Sequence, residues 1–146
     1  MRPDREGGWA GVRGLRDTMD QIPETERTPP AERFAEDAIA FDLVSELEKL
    51  LQEDNPGQRG HRQVALYKQG HATIALFHFD PGGSLPEHHA PGTVFIQCLS
   101  GEIQVSVSGE PKPLRRGGLL VLAPGVRHDV RAMEASTMLL TVCMEE

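Results

Sequence analysis

Asp80-Pro-Gly-Gly-Ser-Leu-Pro-Glu-His-His-Ala-Pro-Gly-Thr-Val-Phe-Ile-Gln-Cys-Leu-Ser-Gly101 is the stretch from which the fold is read. It opens on a turn, because Pro81 cannot donate to a strand ladder and Gly82 and Gly83 accept backbone angles that other residues avoid. Pro86 then stiffens the approach to a rim that carries His88 and His89. From Val94 to Leu99 the residues are apolar and β-branched enough for the interior of a sheet, and Ser100-Gly101 closes the run.

Working outward, the flanking segments alternate in the same way. Gln63 to Gln69 and Ala72 to Phe79 read as a hairpin about Gly70-His71. Glu102 to Ser108 sets Ile103, Val105 and Val107 against Gln104, Ser106 and Ser108, so one face is buried and the other wet. Gly109-Glu110-Pro111 and Gly117-Gly118 are turns, Leu119 to Leu122 is a short buried strand, and Arg127 to Arg131 and Thr137 to Met144 complete the set. Roughly eight short strands at this spacing indicate an all-β architecture, closed or double-sheeted, of the jelly-roll kind.

Upstream, residues 1–30 mix Gly, Pro, Arg, Glu and Asp with one Trp and no apolar period, so they are read as a disordered tail. Met19 offers an alternative start. Residues 31–55 are good helix formers behind Pro29-Pro30, with Phe41, Val44, Leu47, Leu50 and Leu51 at helical spacing. They are read as one amphipathic helix, whose apolar stripe packs either on the outside of the barrel or on a second subunit. Residues 60–146 then form the barrel domain.

With 146 residues and a net charge of −7, the chain fits one domain and lacks the clustered Lys and Arg that nucleic-acid binding requires. No apolar run is long enough to span a bilayer. Cys98 and Cys143 lie in strand-like runs and not at disulfide-framework spacings, in keeping with a cytoplasmic compartment. There is no nucleophile elbow and no second carboxylate to partner Glu87 in acid–base hydrolysis.

The glycine and histidine spacing resembles the two motifs of the cupin superfamily. The first falls on Gly82, His88, Ala90, Val94 and Gly101, and the second on Gly117, Ala123, Gly125, His128 and Ala132. The chain is most similar to short single-domain bacterial cupins with a His-x-Ala-Pro-Gly segment. The resemblance implies a double-stranded β-helix barrel whose mouth holds a divalent metal (Fe, Mn, Ni or Zn) on two His and a Glu of the first motif and a His of the second. Carried over residue by residue, only His88 and His128 of those ligands are present, since Ala90 and Val94 have no lone pair.

Three neighbours are weighed as replacements: His89, adjacent to His88; His78, in Leu-Phe-His-Phe-Asp; and Gln97, an amide that strand alternation directs outward unless a bulge intervenes. Ile96 and Cys98 share the inward parity of Val94 and are expected to line a ligand pocket. Cys98 lies about 13 Å along the strand from Val94, too far for one metal. His61 and His71 read as loop and turn residues. The resulting expectation is a homodimeric barrel that binds a small molecule or a divalent metal at its mouth without turnover, with a metal-dependent dioxygenase or isomerase and a dimeric scaffold as the competing functions.

Overall fold

Period-two alternation over most of the chain produces strands throughout. The computed structural model describes residues 37–53, 57 and 59–144. Over these the elements are a helix α1 (Leu43–Gln52) and strands β1 (His61–Gln69), β2 (Ala72–Phe79), β3 (Ser84–His88), β4 (Thr93–Ser100), β5 (Glu102–Val107), β6 (Glu110–Arg115), β7 (Leu119–Leu122), β8 (His128–Ala132) and β9 (Ser136–Cys143). They make two antiparallel sheets, one in the order β1-β2-β9-β4-β7 and the other β3-β8-β5-β6. The tail read over residues 1–30 lies outside the described residues.

One buried cluster joins Ala75, Phe77, Phe79, Val94, Ile96 and Leu140 of the first sheet to Ile103, Val105 and Val130 of the second. The sheets therefore face each other around a shared interior, as a jelly roll requires. Registers fix the levels within it. Phe79 pairs with Ser136 and Phe77 with Met138, and Met138 pairs in turn with Cys98, whereas Val94 pairs with Val142 toward the other end.

The glycines of the motif frame, Gly82, Gly101, Gly117 and Gly125, all have φ between 79° and 89°. At Gly101 the requirement is double, because a Cβ there would also sit 2.3 Å from the Ala135 carbonyl oxygen.

On the outer face of the first sheet a second cluster packs Leu50 of α1 against Val64, Leu66 and Leu76. The helix thus covers β1 and β2 from outside, which settles where its stripe is buried. It is shorter than the sequence suggests: residues 37–42 are not helical, and the Asp42 carboxylate caps the helix by accepting from the Val44 amide at 3.1 Å. Residues 31–36 lie outside the described residues. The stripe is also narrower than expected, since Val44 and Leu51 face solvent.

Two strands escape the sequence reading, β3 and β6. β6 contains Pro111 and Pro113, and the turn expected at Gly109 to Pro111 covers only its start, but the whole segment is the edge strand of the second sheet. Residues two apart present their nitrogens to the same side of a strand, so both missing donors fall on the unpaired side.

Candidate functional site

The chain brings His88 and His128 together from segments forty residues apart. β3 and β8 are neighbours in the second sheet, and the two histidines are directly paired across them. The decisive local feature is a register shift on β3: Leu85 pairs with Val130 and His88 with His128, so three steps on β3 match two on β8. Leu85 points inward, and regular alternation would then turn Glu87 inward and His88 out. The extra residue reverses this, leaving His88 1% exposed and Glu87 on the surface, where it bridges to Arg127 at 3.4 Å.

The two rings pack edge to face, with centroids 4.3 Å apart and planes at 79°. His128 is as buried as His88. The Nδ1–H of His128 donates to the Val126 carbonyl at 3.0 Å, and that of His88 donates to the Pro86 carbonyl. Each ring is thus anchored to the backbone two residues before it, and its lone pair is placed on Nε2, which is itself buried. Burial is the main force holding both rings neutral. For His88 the charges of His128, His89 and Arg127 add to that effect; for His128 the Val126 carbonyl and Asp129 oppose it. Two neutral imidazoles presenting acceptor nitrogens can receive hydrogen bonds from a ligand or complete a larger ligand set.

The remaining positions of the motif hold no donor. Ala90 and Val94 are each 1% exposed and belong to the interior cluster, so the slots are inward and apolar. His89 stands next to the pair, partly buried. The structure corrects two of the replacements weighed from sequence. His78 shares the parity of Leu76 on the outer face of β2, alternating with the inward Phe77 and Phe79, and its Nδ1 lies 3.2 Å from the Thr137 hydroxyl. Gln97 is exposed on the outer face of β4, between the inward Ile96 and Cys98. Neither reaches the histidine pair.

Among the described residues no group of three His, Cys, Asp or Glu converges on one point. A first-row divalent cation takes three or four protein ligands, so this donor set does not fit Fe, Mn, Ni or Zn.

Ile96 and Cys98 are fully buried interior residues. Ile96 packs in the interior cluster, and Cys98 lies at the level of Met138, toward the end away from the histidines. Its thiol donates to the Ser100 carbonyl at 3.4 Å, and burial pushes its pKa up, so it packs as a core residue and does not face a ligand held by the pair.

His61 was passed over as a loop residue and is instead the first residue of β1. Its ring packs on Phe77 and Phe79, with centroids 5.7 Å and 5.6 Å away. Extending the alternation of β1 by one pair, from Gln63 back to His61, would have shown it in the sequence. His71 does lie in the exposed turn.

The family model described as the cupin domain matches residues 75–144, the segment that contains both histidines and both motif frames. The barrel built from it has the same architecture as many solved cupins. Residues 75–144 are a cupin domain. A conserved protein of unknown function from Streptococcus pyogenes is 27% identical, with a TM-score of 0.61 over 76% of this chain and 91% of that one. An RmlC-like cupin from Desulfovibrio desulfuricans is also 27% identical, with a TM-score of 0.56 over 64% of this chain and 92% of its own. A cupin superfamily protein from Desulfitobacterium hafniense, 22% identical with a TM-score of 0.59 over 65% and 85% of the two chains, shares the fold. No curated protein matches significantly in sequence. The matched segment thus holds His88 and His128, with Ala90 and Val94 at the other two positions that the motif resemblance implies as ligands.

Proposed function

We propose that this cupin domain binds an uncharged small molecule in its barrel, at the His88–His128 end, without turning it over. One observation carries the reading: two fully buried imidazoles in edge-to-face contact, each fixed through Nδ1–H so that Nε2 is the accepting atom. Next to them along the first motif, Ala90 and Val94 are small and apolar. The ligand that suits this surface has an apolar body and an N–H or O–H donor directed at the rings. A dioxygenase or isomerase would need firm metal ligands in the positions that Ala90 and Val94 occupy.

The test is native mass spectrometry of untagged protein, followed by extraction and identification of the co-purified molecule. A ligand retained by the natural protein and lost from His128→Phe, which keeps a ring in place and removes the acceptor, supports the proposal. Equal retention by both proteins refutes it, as does elemental analysis showing stoichiometric metal.

The barrel is proposed to act as a homodimer in the cytoplasm. Leu119 and Val121 are 58% and 52% exposed on the outer face of the edge strand β7, paired with Gln97 and Phe95, and a second copy would cover them. Light scattering should show a dimeric mass that Val121→Lys halves. No helix among the described residues is long and apolar enough to cross a membrane, and the two cysteines are free thiols.

A further inference from the structure

The interior carries a second polar feature at its other end. β1 directs His61, Gln63 and Ala65 inward while Val64 and Leu66 face the helix. His61 pairs with Phe79, and the Ser84 backbone lies near enough to its ring to favour the charged form, against the effect of burial. Ser84 and His88 pair with Arg131 and His128, three residues apart on β8 and so about 10 Å at ~3.3 Å per residue, which keeps the two polar features separate.

Here the His61 Nε2 meets the Gln63 Oε1 at 3.1 Å. The other polar atoms of the two side chains, Nδ1 of His61 and Nε2 of Gln63, are buried without a hydrogen-bond partner. The side chains themselves are only partly buried, so solvent lies close. A buried amide end without a partner is costly, and Leu or Val at position 63 would avoid that cost.

The chemistry of the missing partner follows from the pair. The amide of Gln63 can be turned end for end if the imidazole changes tautomer, and either arrangement keeps the contact between the two side chains. In one arrangement the buried end of the amide is a donor; in the other it is an acceptor. A hydroxyl group satisfies both, being donor and acceptor at once. Among the described residues no carboxylate is paired with His61, and burial holds its ring below the usual histidine range, so the pair itself is uncharged near neutral pH.

We propose that His61 and Gln63 form a second binding site, which takes a hydroxyl group of a small uncharged alcohol or polyol at the barrel end opposite His88 and His128. The site stands independently of the ligand assigned to the histidine pair, because it uses other residues at another level of the interior.

The test is a titration of the full-length, 15N-labelled protein with glycerol, read at the His61 ring nitrogens and the Gln63 side-chain amide. Both should shift together and saturate, while the ring signals of His88 and His128 stay in place. In Gln63→Leu, which keeps the volume and removes the amide, the saturable His61 shift should be lost with the backbone spectrum otherwise intact; Gln63→Met serves the same purpose if the leucine variant does not fold. Shifts that rise linearly without saturating overturn the proposal. So do equal shifts in the position-63 variant, or an equal response to acetone, which accepts but cannot donate.

Discussion

Lowering the pH should unfold this protein through its histidine pair. His88 and His128 are both held below the ordinary histidine pKa of about 6.5, with burial as the first cause in each case. The unfolded chain therefore takes up protons before the folded one. Stability contributed by the neutral rings is complete above that unfolded value and is lost as pH falls through it. For a ring that stays neutral in the folded state, as His88 does, moving from pH 7.5 to 5.5 costs about 1.4 kcal/mol, and His128 adds a cost of the same sign. The rings touch at 4.3 Å, so charging one opposes charging the other and keeps the cost near its full value. Urea unfolding followed by far-ultraviolet circular dichroism at the two pH values measures the change. The double variant His88→Leu/His128→Leu should lose at least about 1.4 kcal/mol of that pH dependence. His61 and His78, also lowered by burial, retain a dependence of the same sign. Equal pH dependence in the natural and double-variant proteins would refute the reasoning, as would ring 15N shifts showing either imidazole titrating near pH 6.5 in the folded state.

Two further outcomes follow from the emptied motif positions and the glycine frame. Ala90→His with Val94→Glu returns donors to two inward slots beside His88 and His128; elemental analysis after zinc loading should find about one metal per chain in the double variant and none in the natural protein. Gly101→Ala forces a Cβ to within 2.3 Å of the Ala135 carbonyl oxygen at a φ of 79°. It should destabilise the barrel by about 2–4 kcal/mol in urea unfolding, and an effect below about 1 kcal/mol would show that the Ala135 turn can move aside.

Read from the chain alone, the strands that alternate cleanly are placed well. Leu119–Leu122 coincides with β7, and Ala72–Phe79 with β2. Burial on one face writes a period of two into the residues themselves, and the turn glycines mark where each run stops. β6 was lost because its prolines argue against a strand unless the strand is known to be an edge. The helix start was lost because Pro29-Pro30 is a plausible opening, and Asp42 becomes the cap only where the outer face of β1 and β2 gives Leu47 and Leu50 something to pack against.

The candidate site divides in the same way. That Ala90 and Val94 carry no metal donor is a matter of residue identity, and the motif spacing that singles out His88 and His128 is likewise local. Which histidine of the His88-His89 doublet faces the interior depends on one extra residue in β3, whose register is set by pairing with β8 forty residues away. The same holds for His61: its type is plain in the chain, but its burial comes from Phe77 and Phe79 on the neighbouring strand. Alternation is a property of each segment and can be read from it, whereas register belongs to pairs of strands and exists only once they have met.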